Sequence, residues 1–174
     1  MTKDNLNINQ LQRFFDDNQI PRIKKKKKTF FSISKQPHYE DVISNIYAFF
    51  FRIYEEHKFE DLFISSLLEV IKKTKLGKTK ELLFSDCFFV HTQYSTNNGK
   101  RIDILLENQN EAIIIENKIY HHLNNDLNDY WNTIEVSECN KLGIVLSLWK
   151  IKDVKHKHFI NVTHSQLLKQ VLNN

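Results

Sequence analysis

Asp103 and the tripeptide Glu116-Asn117-Lys118 are the residues of this chain whose types and spacing could carry chemistry. The tripeptide follows a run of four apolar residues, 112–115, which is the composition of a buried strand. Side chains alternate between the two faces of a strand, so Glu116 and Lys118 would share one face and Asn117 would point to the other. An acid and a base at the end of such a strand cost desolvation unless they are partnered or bind something. The sequence therefore predicts a binding site at this strand end.

Asp103 lies in the segment before this strand, and a short turn joins the two segments. Neighbouring strands of a meander run about 5 Å apart, so Asp103 and Glu116 can meet. Two carboxylates that converge at a partly buried point repel each other unless a proton or a cation lies between them, and hard oxygen ligands select Mg²⁺ or Mn²⁺ over zinc. Such an ion would activate water and polarise a phosphoryl oxygen, while Lys118 would orient the water or stabilise developing charge. Phosphodiester hydrolysis is the predicted chemistry.

Glu40 is a further candidate, because it lies in the first turn of an apolar helix and on the same stripe as Ile43 and Tyr47. Simpler explanations stay open at this point. Glu40 could only favour the helix dipole, and Glu116 with Lys118 could be an ion pair at a strand end. The spacing of Asp103, Glu116 and Lys118 is by itself weak evidence for a catalytic site, and the strands and helix predicted around them strengthen it.

Hydrophobic periodicity predicts the elements that would position these residues. Helices are expected over residues 6–15, 37–57, 59–71, 122–136 and 165–172, and strands over 90–94, 101–107, 111–118, 142–149 and 159–162. The first three strands form an antiparallel meander, and the run 142–149 has the composition of a central strand covered on both faces. We expect a three-layer α/β domain in which this mixed sheet lies between the Glu40 helix and the helix that begins near His122.

Composition and charge place limits on the class of protein. The chain has 174 residues with 41% hydrophobic and 26% charged residues, which fits one globular domain over 1–174, with residues 1–35 as an N-terminal helical arm and basic segment. No apolar run is long enough for a membrane span or a secretory signal, so a cytoplasmic location is expected. Cys87 and Cys139 have no ligand spacing and are expected to be ordinary buried thiols.

The net charge of +4 is small, but the positive charges are unevenly distributed along the chain. One block consists of Lys24, Lys25, Lys26, Lys27 and Lys28. Such a block could contact a polyanion or could simply be a solvated loop.

The residues 99–104 (GKRIDI) followed by 113–118 (IIIENK) resemble the core motif of the PD-(D/E)XK nuclease superfamily, and are most similar to its compact bacterial branch with a Glu-Asn-Lys form. The segment 39–46 (YEDVISNI) is similar to the upstream helix that supplies a further acid in that branch. The resemblance spans residues 36–150. It implies a restriction-endonuclease-like core and an Mg²⁺- or Mn²⁺-dependent endonuclease that acts on nucleic acid, with DNA as the expected substrate.

The resemblance also implies roles for single residues. Asp103 and Glu116 would be metal ligands, the Asn117 backbone carbonyl a third ligand, Lys118 the catalytic lysine, and Glu40 a supporting acid that could join the ligand set. All four charged positions are filled, which favours an active enzyme over a catalytically inactive module that serves as a nucleic-acid-binding or protein-interaction scaffold.

The chain departs from the family pattern at two positions. Asp126 precedes Tyr130 where many relatives have Gln, and an acid there could add a ligand or repel phosphate; both residues are expected to support the site. Gln93 stands where Glu is frequent. Arg101 and the lysine block are expected to contact nucleic acid, and a homodimer or a partner subunit is possible. His121 and His122 are assigned no chemistry.

Overall fold

The computed structural model describes residues 8–17, 39–84, 87–119 and 125–174. The chain divides into two units, Met1–Gln36 and Pro37–Asn174. The first unit contains helix α1, Ile8–Asp17, which lies two residues later than the predicted helix. The lysine block and the two histidines at 121 and 122 lie outside the described residues.

The second unit is built on one five-stranded sheet with the strand order β1-β2-β3-β4-β5. The strands are β1 Phe89–Ser95, β2 Arg101–Glu107, β3 Ala112–Lys118, β4 Lys141–Ser147 and β5 Phe159–Thr163. The pairs β1–β2 and β2–β3 are antiparallel, whereas β3–β4 and β4–β5 are parallel. The sheet is therefore mixed, and the predicted meander and its extension are confirmed.

The helices of the second unit are α2 Tyr39–Phe51, α3 Leu62–Lys72, α4 Leu127–Thr133 and α5 His164–Asn173. Alternation along the strands gives each sheet face its own core. One core contains side chains of α2, α3 and α5 packed on residues such as Ile113 and Ile115. The other contains Leu127, Tyr130 and Trp131 of α4 packed on the opposite face. The α/β fold with helices on both faces of a mixed sheet is thus confirmed.

Strands β3 and β4 are buried along their whole length, as the apolar runs predict. Close packing leaves no room for a side chain at Gly143 of β4, because an added Cβ would lie 2.4 Å from the Phe159 ring. The carboxyl ends of β3, β4 and β5 meet at one end of the sheet. The register aligns Lys118 with Ser147, and Ser147 with Thr163.

Several expectations were wrong in detail. Cys87 and Cys139 are free and exposed rather than buried. The predicted helix over 122–136 is shorter, because Asp126 caps α4 at its start and the backbone is extended at Ile134. The helix predicted over 37–57 is shorter, because α2 ends at Phe51, and Ile46 of this apolar helix is exposed. None of the helices in the described part of the chain has the length and apolarity that a bilayer crossing requires.

Candidate active site

The last residues of β3 carry the central pair of the site. Glu116 is only 1% exposed, and its Oε1 lies 2.7 Å from Lys118 Nζ. Its Oε2 is buried and has no hydrogen-bond partner in the described structure. Tyr130 of α4 is buried on the same face of the sheet, near this carboxylate. A buried carboxylate oxygen without a donor is costly unless something else, a proton or a cation, takes its charge.

Asp103 lies where β2 and β3 separate. Their pairing ends at Ile104–Ile115, and beyond it Asp103 Oδ2 accepts a 2.7 Å hydrogen bond from the Asn117 backbone N–H. The N–H and C=O groups of one strand residue point to the same neighbouring strand. The Asn117 carbonyl is therefore directed into the same gap as Asp103, while the Lys118 carbonyl on the other side of β3 accepts from Leu148 N.

Helix α2 places Glu40 over the end of β3. Glu40 Oε1 accepts a 3.0 Å hydrogen bond from Ile119 N, and Oε2 lies 3.5 Å from Lys118 Nζ. The Asn117 side chain points to the opposite face from Glu116, as alternation predicts, and its Nδ2 donates to the Glu40 carbonyl at 3.1 Å and to Ser44 Oγ at 3.0 Å. The Asn117 side chain thus holds α2, the helix that carries Glu40, against the end of β3.

Two residues that contact the site, Gln93 and Asp41, were given no role from the sequence, although Gln93 was noted there as a departure from the family pattern. Gln93 Nε2 donates to Asp41 Oδ1 at 3.2 Å and lies 3.5 Å from Asp103 Oδ1, so it joins α2 to β2. Gln93 has a φ of 53°, a left-handed conformation that is uncommon for residues other than glycine, and the β1–β2 register is interrupted there. Asp41 stood beside Glu40 in the sequence, but nothing in the sequence marks Gln93 as left-handed.

The charges of the site influence one another strongly. Burial raises the pKa of Glu116 to about 7, and the nearby charge of Asp103 adds to that effect. Burial also raises the pKa of Asp103, against the opposing hydrogen bond from Asn117. Burial acts to lower the pKa of Lys118, but the charge and hydrogen bond of Glu116 outweigh it and raise that pKa above its ordinary value. Lys118 is therefore a cation at neutral pH, whereas Glu116 binds a proton more readily than an ordinary carboxyl group does.

The donor set suits a hard divalent cation. Asp103, Glu116 and the Asn117 carbonyl offer only oxygen ligands, and the Glu116 oxygen without a partner is free to bind. Within residues 39–84, 87–119 and 125–174, no three His, Cys, Asp or Glu side chains form a cluster that could hold a metal. The residues therefore fit two carboxylates with a backbone carbonyl rather than a closed cage of side chains, which is the arrangement that leaves positions for water and substrate.

The remaining predicted site residues are placed as follows. Arg101 is exposed at the first position of β2. Asp126 is exposed and its Oδ1 accepts from the N–H groups of Asn128 and Asp129, so it is an N-cap of α4. The Tyr130 hydroxyl accepts a 2.8 Å hydrogen bond from Asn125 Nδ2. Burial, followed by the charge of Glu116, raises the pKa of Tyr130, so the hydroxyl stays protonated at neutral pH.

A protein-family model described as the PD-(D/E)XK nuclease superfamily matches residues 28–173. The chain belongs to the PD-(D/E)XK nuclease superfamily. No curated protein and no solved structure gives a significant match. The superfamily that was predicted from the sequence is thereby confirmed. The core motif itself and the assignment to the Glu-Asn-Lys branch stay predictions. The matched range includes the residues of the candidate active site from Glu40 on α2 to Lys118 on β3.

Proposed function

We propose that this chain is a Mg²⁺- or Mn²⁺-dependent nuclease that hydrolyses phosphodiester bonds of nucleic acid, with DNA as its substrate, in the cytoplasm. The observation that carries the proposal is the buried Glu116 carboxylate, which has one oxygen on Lys118 and the other without a partner among the described residues, next to Asp103, a second acid that is partly buried. A purely structural ion pair needs neither the second acid nor an unpartnered oxygen.

Asp103 and Glu116 would hold the ion together with the Asn117 carbonyl, and Glu40 would support the set from α2. When bound, the ion supplies Lewis acidity toward a phosphoryl oxygen and lowers the pKa of water. Because a ligating carboxylate must be ionised, metal binding would compete with protonation of Glu116, whose pKa is raised.

Lys118 has a defined role in this arrangement. Because its pKa is raised, it carries a proton at neutral pH and cannot accept one from the attacking water. It can donate hydrogen bonds, so it would orient the water or stabilise the negative charge that develops on the phosphate oxygens. The 3.5 Å contact with Glu40 would hold its ammonium group at the end of β3.

Substrate binding would use positive charge outside the acid cluster. We assign phosphate contacts to Arg101 and to Lys24, Lys25, Lys26, Lys27 and Lys28, which would make the affinity for DNA fall as salt rises. We further propose that the chain acts as a homodimer or beside a partner subunit, which a measurement of mass in solution would test.

Cleavage of a supercoiled plasmid and of labelled DNA and RNA oligonucleotides tests the proposal, with Mg²⁺ or Mn²⁺ and with a chelator. Wild type should cleave only with metal, and Asp103→Ala and Lys118→Ala should not cleave. Activity that survives both substitutions would remove the assigned site. Failure to cleave any DNA or RNA would favour an inactive scaffold of the same fold.

A further inference from the structure

We propose that the segment 148–158, called here the β4–β5 loop, binds single-stranded nucleic acid and that Trp149 stacks on an unpaired base. The inference rests on the proposed function only in taking nucleic acid as the substrate. It adds a binding surface and a substrate class to the acid cluster.

Trp149 is displayed on a fixed backbone. Its side chain is 80% exposed, whereas Trp131, the other tryptophan, is 6% exposed. The Trp149 carbonyl accepts a 2.7 Å hydrogen bond from Ser147 Oγ, and Ile151 N donates to Asn161 Oδ1 at 2.7 Å. Asn161 Nδ2 in turn donates to Ser147 Oγ at 2.8 Å, so one side chain holds both flanks of the tryptophan. A fixed backbone reduces the ordering that a ligand would otherwise have to bring about.

The same loop carries four positively charged side chains. Its lysines Lys150, Lys152, Lys155 and Lys157 are all exposed, and the loop contains one acidic residue, Asp153. Ile151 and Val154 alternate with them and pack against the core on the α4 side of the sheet. The apolar residues therefore anchor the loop and leave the lysines outward, where they can contact phosphates.

The loop begins at the candidate active site. The Leu148 backbone N–H donates a 3.2 Å hydrogen bond to the Lys118 carbonyl, and the next residue is Trp149. A strand that leaves an acid cluster and continues into an exposed aromatic residue and four lysines would hold a nucleic acid backbone against that cluster. Surface lysines alone would only keep a loop solvated, but they do not explain a large ring held in water beside the site.

The aromatic ring determines the class of nucleic acid. Bases in a duplex are stacked on one another and hide their faces, whereas unpaired bases stack on exposed aromatic side chains without regard to sequence. The lysines contribute a sequence-independent attraction to the backbone. The β4–β5 loop thus favours single strands, or single-stranded stretches within a longer molecule, over blunt duplexes.

Binding can be measured without catalysis, using the full chain in a chelating buffer and a labelled oligothymidylate of about 20 nucleotides, a length that exceeds a typical single-strand site. Wild type should bind the oligothymidylate more tightly than a blunt duplex of equal length, with quenching of Trp149 fluorescence. Trp149→Ala should weaken single-strand binding by about five- to 150-fold, whereas Trp149→Phe should retain most of the affinity.

Matched controls separate the loop from general effects of charge and exposure. Tyr54 is 90% exposed and lies outside the loop, so Tyr54→Ala should bind like wild type. The double variant Lys150→Ala/Lys152→Ala should lower the salt dependence of single-strand binding by about 1.4 in the log–log slope, which corresponds to two phosphate contacts. Lys72→Ala/Lys75→Ala removes the same charge from exposed positions near the end of α3 and should leave the slope unchanged.

Two results would overturn the inference. One is single-strand binding that Trp149→Ala does not weaken, and the other is equal or tighter binding of the blunt duplex. These failures are distinct from failure of the proposed function. If the chain binds oligothymidylate through Trp149 but cleaves no nucleic acid with any metal, the binding surface is retained and the nuclease assignment is lost. If the chain cleaves nucleic acid but Trp149→Ala does not weaken single-strand binding, the nuclease assignment is retained and the binding surface is lost.

Discussion

Two buried glutamates at the two ends of one strand have opposite surroundings. Glu111, just before β3, is 8% exposed and its carboxylate accepts hydrogen bonds from the backbone N–H groups of Leu83 and Phe84 and from Asn108 Nδ2. Glu116, near the other end, is 1% exposed, and one of its oxygens has no partner. Burial alone therefore does not identify a functional acid. The difference lies in whether the protein itself satisfies the carboxylate.

The largest expected effect is on activity. Glu116→Gln removes a ligand charge and should reduce cleavage by about a thousandfold or more, a loss typical of essential charged groups at such sites. Glu111→Gln has the same change of charge at the other end of β3 and should keep activity within about threefold. Initial rates on one DNA substrate at saturating metal measure both. Equal losses in the two variants would erase the functional distinction between the two acids.

The effects on the free energy of unfolding should have the opposite order, with the larger loss at Glu111 and the smaller at Glu116. Glu111→Ala leaves the buried N–H groups of Leu83 and Phe84 without acceptors and should reduce the free energy of unfolding by about 2–4 kcal/mol. Glu116→Gln in metal-free protein at pH 8 should be neutral or stabilising, because burial and the charge of Asp103 oppose ionisation of Glu116 more than Lys118 favours it, and Lys118 keeps its contact with Glu40. Urea unfolding of the two variants beside wild type is the measurement. A Glu116→Gln variant that is the less stable of the two at pH 8 would speak against this explanation.

Stability should also depend on pH through Glu116. The folded-state pKa of about 7 lies above the ordinary value of 4.5, so between these values the folded protein holds the proton more tightly than the unfolded chain. The stabilising contribution is fully present below about pH 4.5 and is lost as pH rises to about 7, by on the order of 3 kcal/mol. Urea midpoints of metal-free wild type and Glu116→Gln over this range should diverge, and parallel curves would show that Glu116 titrates normally.

The smallest effect concerns Asp126, the departure from the family pattern that could have altered the chemistry. As an N-cap whose carboxylate accepts from two backbone N–H groups, it should contribute about 1 kcal/mol to stability. Asp126→Ala should lower stability by that amount and change the cleavage rate less than threefold, whereas Asp126→Asn should restore most of the stability. A large change in rate at unchanged stability would instead place Asp126 at the metal or the phosphate.

The sequence was sufficient for the strands and for the main acids, because alternation and apolar runs determine which side chains share a face. It placed Asp103, Glu116 and Lys118 together and Glu40 above them. It marked Gln93 as a departure from the family pattern, but it could not reveal the left-handed backbone of Gln93 or its hydrogen bonds to Asp41 and Asp103.

Two other features depend on tertiary contacts that periodicity does not encode. The length of α4 depends on the cap formed by Asp126, and the exposure of Cys87 and Cys139 depends on where the loops around them lie.

A crystal soaked in Mn²⁺ and measured for anomalous scattering tests the central claim most directly, because it locates the ion without reliance on activity. We predict a peak about 2.0–2.2 Å from Asp103, from the now ionised Glu116 and from the Asn117 carbonyl. The same soak of Glu116→Gln should show that peak lost, and the soak of Glu111→Gln should retain it. A peak elsewhere, or none between Asp103 and Glu116 in a protein that cleaves DNA with Mn²⁺, would contradict the site described here.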